Sequence, residues 1–211
     1  KQTGKNPNYM FGGLPLNDME AAELAESDWS ILEGDEYKTA RWDDSPKFFH
    51  YAPTQLLLSS IEWDHADIYK DKESYLDVFK KLLSSIAETG LVLAASGKTS
   101  ASIDEALAET KARILRYGTN QKADYRYDQP SLSATGMSFN IYRDEEQHRV
   151  NSPLIHAYMA ENITGAFALA REMNIETLSI LSAISSFKGL KRRMEKRYEG
   201  GITLIDDIAH S

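Results

Sequence analysis

Two acidic clusters in the first third of the chain hold residue types that can do chemistry. Glu33-Gly-Asp-Glu36 follows the apolar pair Ile31-Leu32, and Asp64-His-Ala-Asp67 follows shortly after Leu56-Leu-Leu58. Carboxylate oxygens are hard donors that suit Mg²⁺, which takes one or two protein carboxylates and completes its shell with phosphates and water. A histidine between two aspartates can be a ligand or an acid–base group. Each cluster also has a plainer reading: a solvated acidic loop for the first, an ordinary hydrogen-bonded histidine for the second. Both come where an apolar run ends, and in open α/β sheets ligands bind at the carboxyl ends of strands. The clusters would converge if their strands were neighbours in one sheet.

Three further segments bear on phosphate. Leu91-Val-Leu-Ala-Ala-Ser-Gly-Lys-Thr-Ser100 imitates a phosphate loop, but the pattern needs a glycine where Val92 stands. Residues 97–100 therefore read as a connecting turn with helix-cap chemistry. Arg192, Arg193, Lys196 and Arg197 form the one basic cluster, and arginines can grip phosphate in a bidentate way. Asp206-Asp207 ends an apolar strand, where a carboxylate can accept hydrogen bonds from a ribose.

The elements that must position these residues alternate. Residues 29–33, 55–59, 91–95 and 112–117 are short apolar or β-branched runs that read as strands. Tyr75, Phe79, Leu82, Leu83 and Ile86 share one helical face, with Gly90 as the expected stop. Ser102-Ile-Asp-Glu opens a second helix with a capping-box-like pattern. Met159, Ile163, Ala166, Phe167 and Ala170 make a third stripe, and 177–187 a fourth, closed by Gly189. Strand–helix alternation predicts an α/β three-layer sandwich around a mainly parallel sheet. Residues 123–150 alternate around polar turns and predict a small antiparallel subsheet. One core is expected, rather than two divided near Gly118.

Composition narrows the function classes. The 211 residues carry a formal charge of −8 and no cysteine. That excludes disulfides, thiolate metal sites and a cysteine nucleophile. Without a long basic stripe, a nucleic-acid face is not expected. No apolar run reaches the ~20 residues of a membrane span.

In this order, the motifs resemble the Mur ligase family. They are Phe11-Gly-Gly-Leu-Pro, Glu33-Gly-Asp-Glu-Tyr-Lys-Thr-Ala, Lys47-Phe-Phe-His-Tyr-Ala-Pro, Glu62-Trp-Asp-His-Ala-Asp-Ile-Tyr, Gly189-Leu-Lys-Arg-Arg-Met-Glu and Asp206-Asp-Ile-Ala-His. The Asp-Glu-Tyr-x-Thr and Lys-Phe-x-His-Tyr pair is similar to the murein peptide branch; the alanine-adding branch usually has serine at the position of Tyr37. The resemblance implies a P-loop-type central ATP-binding domain over residues 1–200, with 201–211 starting a C-terminal ligase domain and the P-loop itself before Lys1. It implies cytoplasmic chemistry with ATP and Mg²⁺. UDP-N-acetylmuramate is joined to L-Ala-γ-D-Glu-meso-diaminopimelate through an acyl phosphate, in peptidoglycan recycling. An L-alanine-adding ligase and a catalytically silent module are the alternatives.

Position by position, the resemblance implies that Glu33 is a ligand of the first magnesium and His65 a ligand near the second. Asn162 lies on the adenine side, Arg193 reaches the ATP phosphates, and Asp207 lies near the ribose. Glu33, His65 and Arg193 are thus the residues expected to carry catalysis. Ser60, Glu161 and Gly165 stand where the family usually has asparagine, histidine and asparagine. The last two lead to the expectation of an altered base contact.

Overall fold

A computed structural model describes residues 3–97 and 100–208. The chain opens with β1 (Asn8–Met10), β2 (Ala22–Glu23) and β3 (Ser30–Leu32), a small sheet in the order β2-β1-β3. A hairpin, β4 (Lys38–Ala40) and β5 (Asp43–Pro46), leads through a 3-10 turn, Lys47–His50, into the main sheet.

The main sheet grows by crossovers: β6 (Gln55–Leu58), α1 (Lys72–Ser85), β7 (Leu91–Ser96), α2 (Ala101–Leu107), β8 (Arg113–Gly118) and β9 (Tyr125–Tyr127). Strands β6 to β9 pair in parallel, Leu56 opposite Val92 and Val92 opposite Ile114. All six residues of β7 are buried, as a strand covered on both faces requires. The antiparallel subsheet consists of β10 (Ser131–Ser133), β11 (Gly136–Arg143) and β12 (Glu146–Ser152), and it continues the same sheet, because β11 also pairs β9. Of the expected antiparallel segment, β9 is the part that runs parallel to its neighbour β8.

Two helices follow, α3 (Met159–Glu172) and α4 (Thr177–Ser186), then the hairpin β13 (Glu195–Glu199) and β14 (Thr203–Asp206). Helix α3 packs across β6 to β9, α4 packs on β12 and α3, and α1 lies beside α2. One contiguous apolar cluster runs from Phe48 to Ile180. None of the helices among the described residues is long and apolar enough to cross a membrane.

Several local expectations change. The expected strand at 29–33 is β3, which lies in the small sheet beside β1, with all three of its residues exposed. The two acidic clusters therefore do not leave neighbouring strands. Helix α1 stops at Ile86 in extended conformation, four residues before Gly90. Gly90 is needed for a different reason: a Cβ there would lie 2.8 Å from the Thr54 carbonyl oxygen. The N-cap of α2 is Ser100, which makes no side-chain cap bond, while Ser102 is buried inside the helix. The turn at 97–100 is only partly described, since Lys98 and Thr99 lie outside the described residues, as do residues 209–211, the first two of which end the last motif.

Candidate functional site

The two acidic segments meet even though their strands do not. Tyr37 Oη donates to Asp67 Oδ2 at 2.7 Å, and its ring meets the His65 imidazole edge-on at 5.3 Å. His65 Nε2 lies 3.2 Å from Glu36 Oε1. Lys47 Nζ pairs with Asp35 at 2.6 Å, and Phe48 N donates to the Asp35 carbonyl. Phe48 itself is buried against Phe79 of α1. The Lys47-Phe48 motif thereby clamps the first acidic loop onto the main core.

Beneath this contact lie two phenols. Tyr75 Oη donates to Glu36 Oε1 at 3.2 Å, and Tyr69 Oη donates to the Glu36 carbonyl. Burial, then the charges of Glu36 and Asp35, pushes the Tyr69 phenol up to about 12. Burial and then Glu36 raise Tyr75 as well. Both stay protonated donors at neutral pH. His65 has φ +53, a left-handed conformation that non-glycine residues rarely adopt and that clusters at functional sites. Its own N–H donates to Asp64 Oδ1 at 2.6 Å, and its carbonyl accepts from Ile68 and Tyr69.

Glu33 is placed differently. Its carboxylate is exposed and accepts from Gly12 N at 2.5 Å. The partner brought to His65 is Glu36, which sequence reasoning placed in the cluster but gave no separate role. Among the described residues no three histidine or acidic side chains converge as a preformed metal site. The donors present fit a hard divalent cation that brings phosphate oxygens and water to complete its shell.

The second part is a cleft of about 800 Å³ between the start of α3 and the 187–196 segment. Asn162, Arg193 and Asp207 all line it, with His156, Tyr158 and Leu190. Its size suits a small-molecule site. The imidazole of His156 stacks on Tyr158 with centroids 5.9 Å apart, and its Nε2 is buried without a partner among the described residues. Neither residue stood out in the sequence, because one histidine and one tyrosine before a helix carry no pattern. Arg193 is presented by a tight turn whose flanking residues, Arg192 and Met194, have φ +58 and +51. Two carboxylates hold that turn: Glu195 accepts from Arg192 N at 2.9 Å and Asp207 from Met194 N at 3.4 Å.

Glu161 and Gly165 do not line this cleft. The Cβ of any residue at 165 would lie 2.8 Å from Tyr117 Cζ and 2.9 Å from Leu57 Cδ1. Glycine there is a packing requirement of a ring that is fully buried. Ser60 is exposed just past β6.

The two parts are tied by the N-terminal segment. Beyond Gly12, Leu16 N donates to the Gly189 carbonyl and Lys191 N to the Leu14 carbonyl, both near 2.9 Å. Asn17 donates to the Ser186 carbonyl and accepts from Lys188 N, each at 2.8 Å.

A family model described as the Mur ligase middle domain matches residues 13–170. The UDP-N-acetylmuramate–L-alanyl-γ-D-glutamyl-meso-2,6-diaminoheptandioate ligase of Escherichia coli (strain K12) is 30% identical, over 100% of this chain and 45% of that protein. A UDP-N-acetylmuramate–L-alanine ligase of Anaeromyxobacter sp. (strain Fw109-5) is 29% identical, over 98% and 44%. The chain thus spans less than half the length of these curated relatives. Among solved structures, the UDP-N-acetylmuramate:L-alanyl-γ-D-glutamyl-meso-diaminopimelate ligase from Neisseria meningitides superposes with TM-score 0.79 at 26% identity, over 90% of this chain and 60% of that one. The UDP-N-acetylmuramate–alanine ligase from Thermotoga maritima, at 19% identity, shares the fold with TM-score 0.75 over 100% of this chain and 46% of that one.

Proposed function

The chain belongs to the Mur ligase family, and on that premise we propose that it is the nucleotide-handling part of an ATP-dependent, amide-forming ligase. The observation that carries this reading is the cleft. Asn162, Arg193 and Asp207 come from separate parts of the sequence and line one cavity. In the proposed assignment the base lies toward Asn162, the ribose toward Asp207, and the phosphates toward the Arg193 guanidinium. Arginine suits that place because its charge is permanent and its donors form a fork.

Mg²⁺, when bound, neutralises phosphate charge during phosphoryl transfer. Glu33, fixed by Gly12 N, and His65, fixed by its backbone and by Glu36, are the residues proposed to hold it. We assign UDP-N-acetylmuramate as the acid substrate and L-Ala-γ-D-Glu-meso-diaminopimelate as the amine substrate. What favours the tripeptide over L-alanine is the likeness of the motif around Tyr37 to the murein peptide branch, where the alanine-adding branch usually has serine.

The test is an assay of the full-length protein with ATP, Mg²⁺, UDP-N-acetylmuramate and either the tripeptide or L-alanine. Phosphate release and the UDP-linked product are both measured. Tripeptide product with little alanine product is expected, and Arg193→Ala should cost at least tenfold in kcat/KM for ATP. Alanine product alone would reverse the substrate assignment. Absence of both products from a protein that still binds ATP would sink the ligase reading.

A further inference from the structure

We infer that Glu195 is the positioning residue of Arg193: its carboxylate holds the turn that aims this one arginine of the basic cluster into the cleft. Glu195 opens β13 and is 9% exposed, the one buried charged residue among those described. Both of its oxygens are engaged by the chain. Oε2 accepts from Arg192 N at 2.9 Å, and Oε1 accepts from Arg197 Nη1 at 3.0 Å. Arg193 lines the cleft, whereas Arg192 and Arg197 do not. Arg197 is drawn off by Glu195 and by Asp206, which lies 3.9 Å from its Nε. The Arg193 guanidinium makes a single long bond among the described residues, 3.4 Å from Nη1 to the Ile208 carbonyl.

This turn needs holding. Arg192 and Met194 have φ +58 and +51, left-handed conformations that cost energy on residues other than glycine and persist where their surroundings over-determine them. Arg193 N donates to the Leu190 carbonyl at 3.3 Å, and the Arg192 carbonyl accepts from Ile208 N at 2.9 Å. On the amide side, left-handed Arg192 is tied by Glu195. A hydrogen bond to an ionised acceptor is stronger than one between neutral groups. Without it Arg192 can leave the left-handed region, and the peptide that orients Arg193 rotates with it. Glu195 thus acts through Arg193. The inference rests on the ligase reading for what Arg193 grips; the hold on the turn can be measured without nucleotide.

The experiment uses full-length protein. In hydrogen–deuterium exchange of the nucleotide-free wild type, the Arg192 amide should be protected. Exchange there at the rate of an open loop overturns the inference, whether or not any variant folds. Calorimetry then gives the MgATP affinity of the wild type, Arg193→Ala, Glu195→Met, Glu195→Gln and the double variant Glu195→Met/Arg193→Ala. Glu195→Met, which keeps length and removes the acceptor, should weaken binding at least tenfold. Glu195→Gln, which keeps an oxygen for Arg192 N, should stay within threefold. With Arg193 already alanine, Glu195→Met should cost less than twofold, because a group acting through Arg193 has nothing left to act on. A folded Glu195→Met protein that binds like the wild type overturns the inference. So does a tenfold loss that persists without Arg193, or an equal loss in Glu195→Gln and Glu195→Met. If the wild type does not bind MgATP, or Arg193→Ala binds it equally well, the cleft assignment itself fails and the inference with it.

Discussion

Glu161 stands in the first turn of α3, 3.9 Å from the Cβ position of Gly97, and burial, then its charge, raises the phenols of Tyr117 and Tyr127. Burial raises its own carboxyl above the ordinary 4.5. A group raised by folding contributes stability that is full below its unfolded pKa and is lost as pH rises through its folded pKa. Glu161→Gln should therefore raise Tm at neutral pH, and the gain should vanish near pH 4.5. An equal gain at both pH values would contradict it. Gly165 gives a second prediction. Restoring the family's asparagine puts a Cβ against Tyr117 and Leu57, and overpacking of this kind costs about 1–3 kcal/mol. Urea denaturation of Gly165→Asn should show a lowered midpoint at unchanged slope. At this scale Arg193 and Asp207 were legible as candidates because each lies in a motif, and Asn162 only through the position-by-position resemblance; the fold brings all three to one cleft. Glu36, Tyr69, Tyr75 and His156 were not legible as partners, since their roles arise from contacts between segments 29–39 residues apart, or from a cavity that only the fold creates.

Among the elements, α1 has the most complete start. Asp71 accepts from Ser74 N at 2.8 Å, and Ser74 Oγ lies 3.2 Å from Asp71 N as its acceptor. The Ser74 backbone bond, then its hydroxyl, holds the Asp71 carboxyl below its ordinary 3.8. A depressed carboxyl contributes above its unfolded pKa and loses that contribution as pH falls through the folded one. Asp71→Ala should thus lower Tm at neutral pH and matter progressively less below pH 3.8; an unchanged neutral-pH melt would refute the cap. Strand β7 was readable because a strand buried on both faces is a near-continuous apolar run, and β6 carries a shorter run of three leucines. The hairpin of β4 and β5 was not, because Asp43, Asp44 and Ser45 have low strand propensity and are held by side-chain bonds from Ser45 and His50 to Asp43. Gly90 and Ser102 were read as stop and cap from local pattern alone, and both were overruled by packing.

At the scale of the molecule, the segment that imitates a phosphate loop carries a residue that the loop pattern does not allow. Val92, where a phosphate loop needs glycine, is fully buried in β7. Residues 1–211 alone should accordingly release no phosphate from ATP above background; turnover comparable with that of the full-length protein would show that another loop does the work. The tie between residues 12–17 and 186–191 has a kinetic consequence. Asn17 and Ser186 are 169 positions apart, and Leu16 and Leu190 line the same cleft. Closing so long a loop is entropically costly and contributes to slow folding. A chain emerging from the ribosome can build β6 to β9 well before Leu190 exists, so the cleft is the last part to be assembled. A nucleotide that grips it would then arrive after the rate-limiting step. Stopped-flow denaturant jumps on the full-length protein should show ATP slowing unfolding while the refolding rate stays the same.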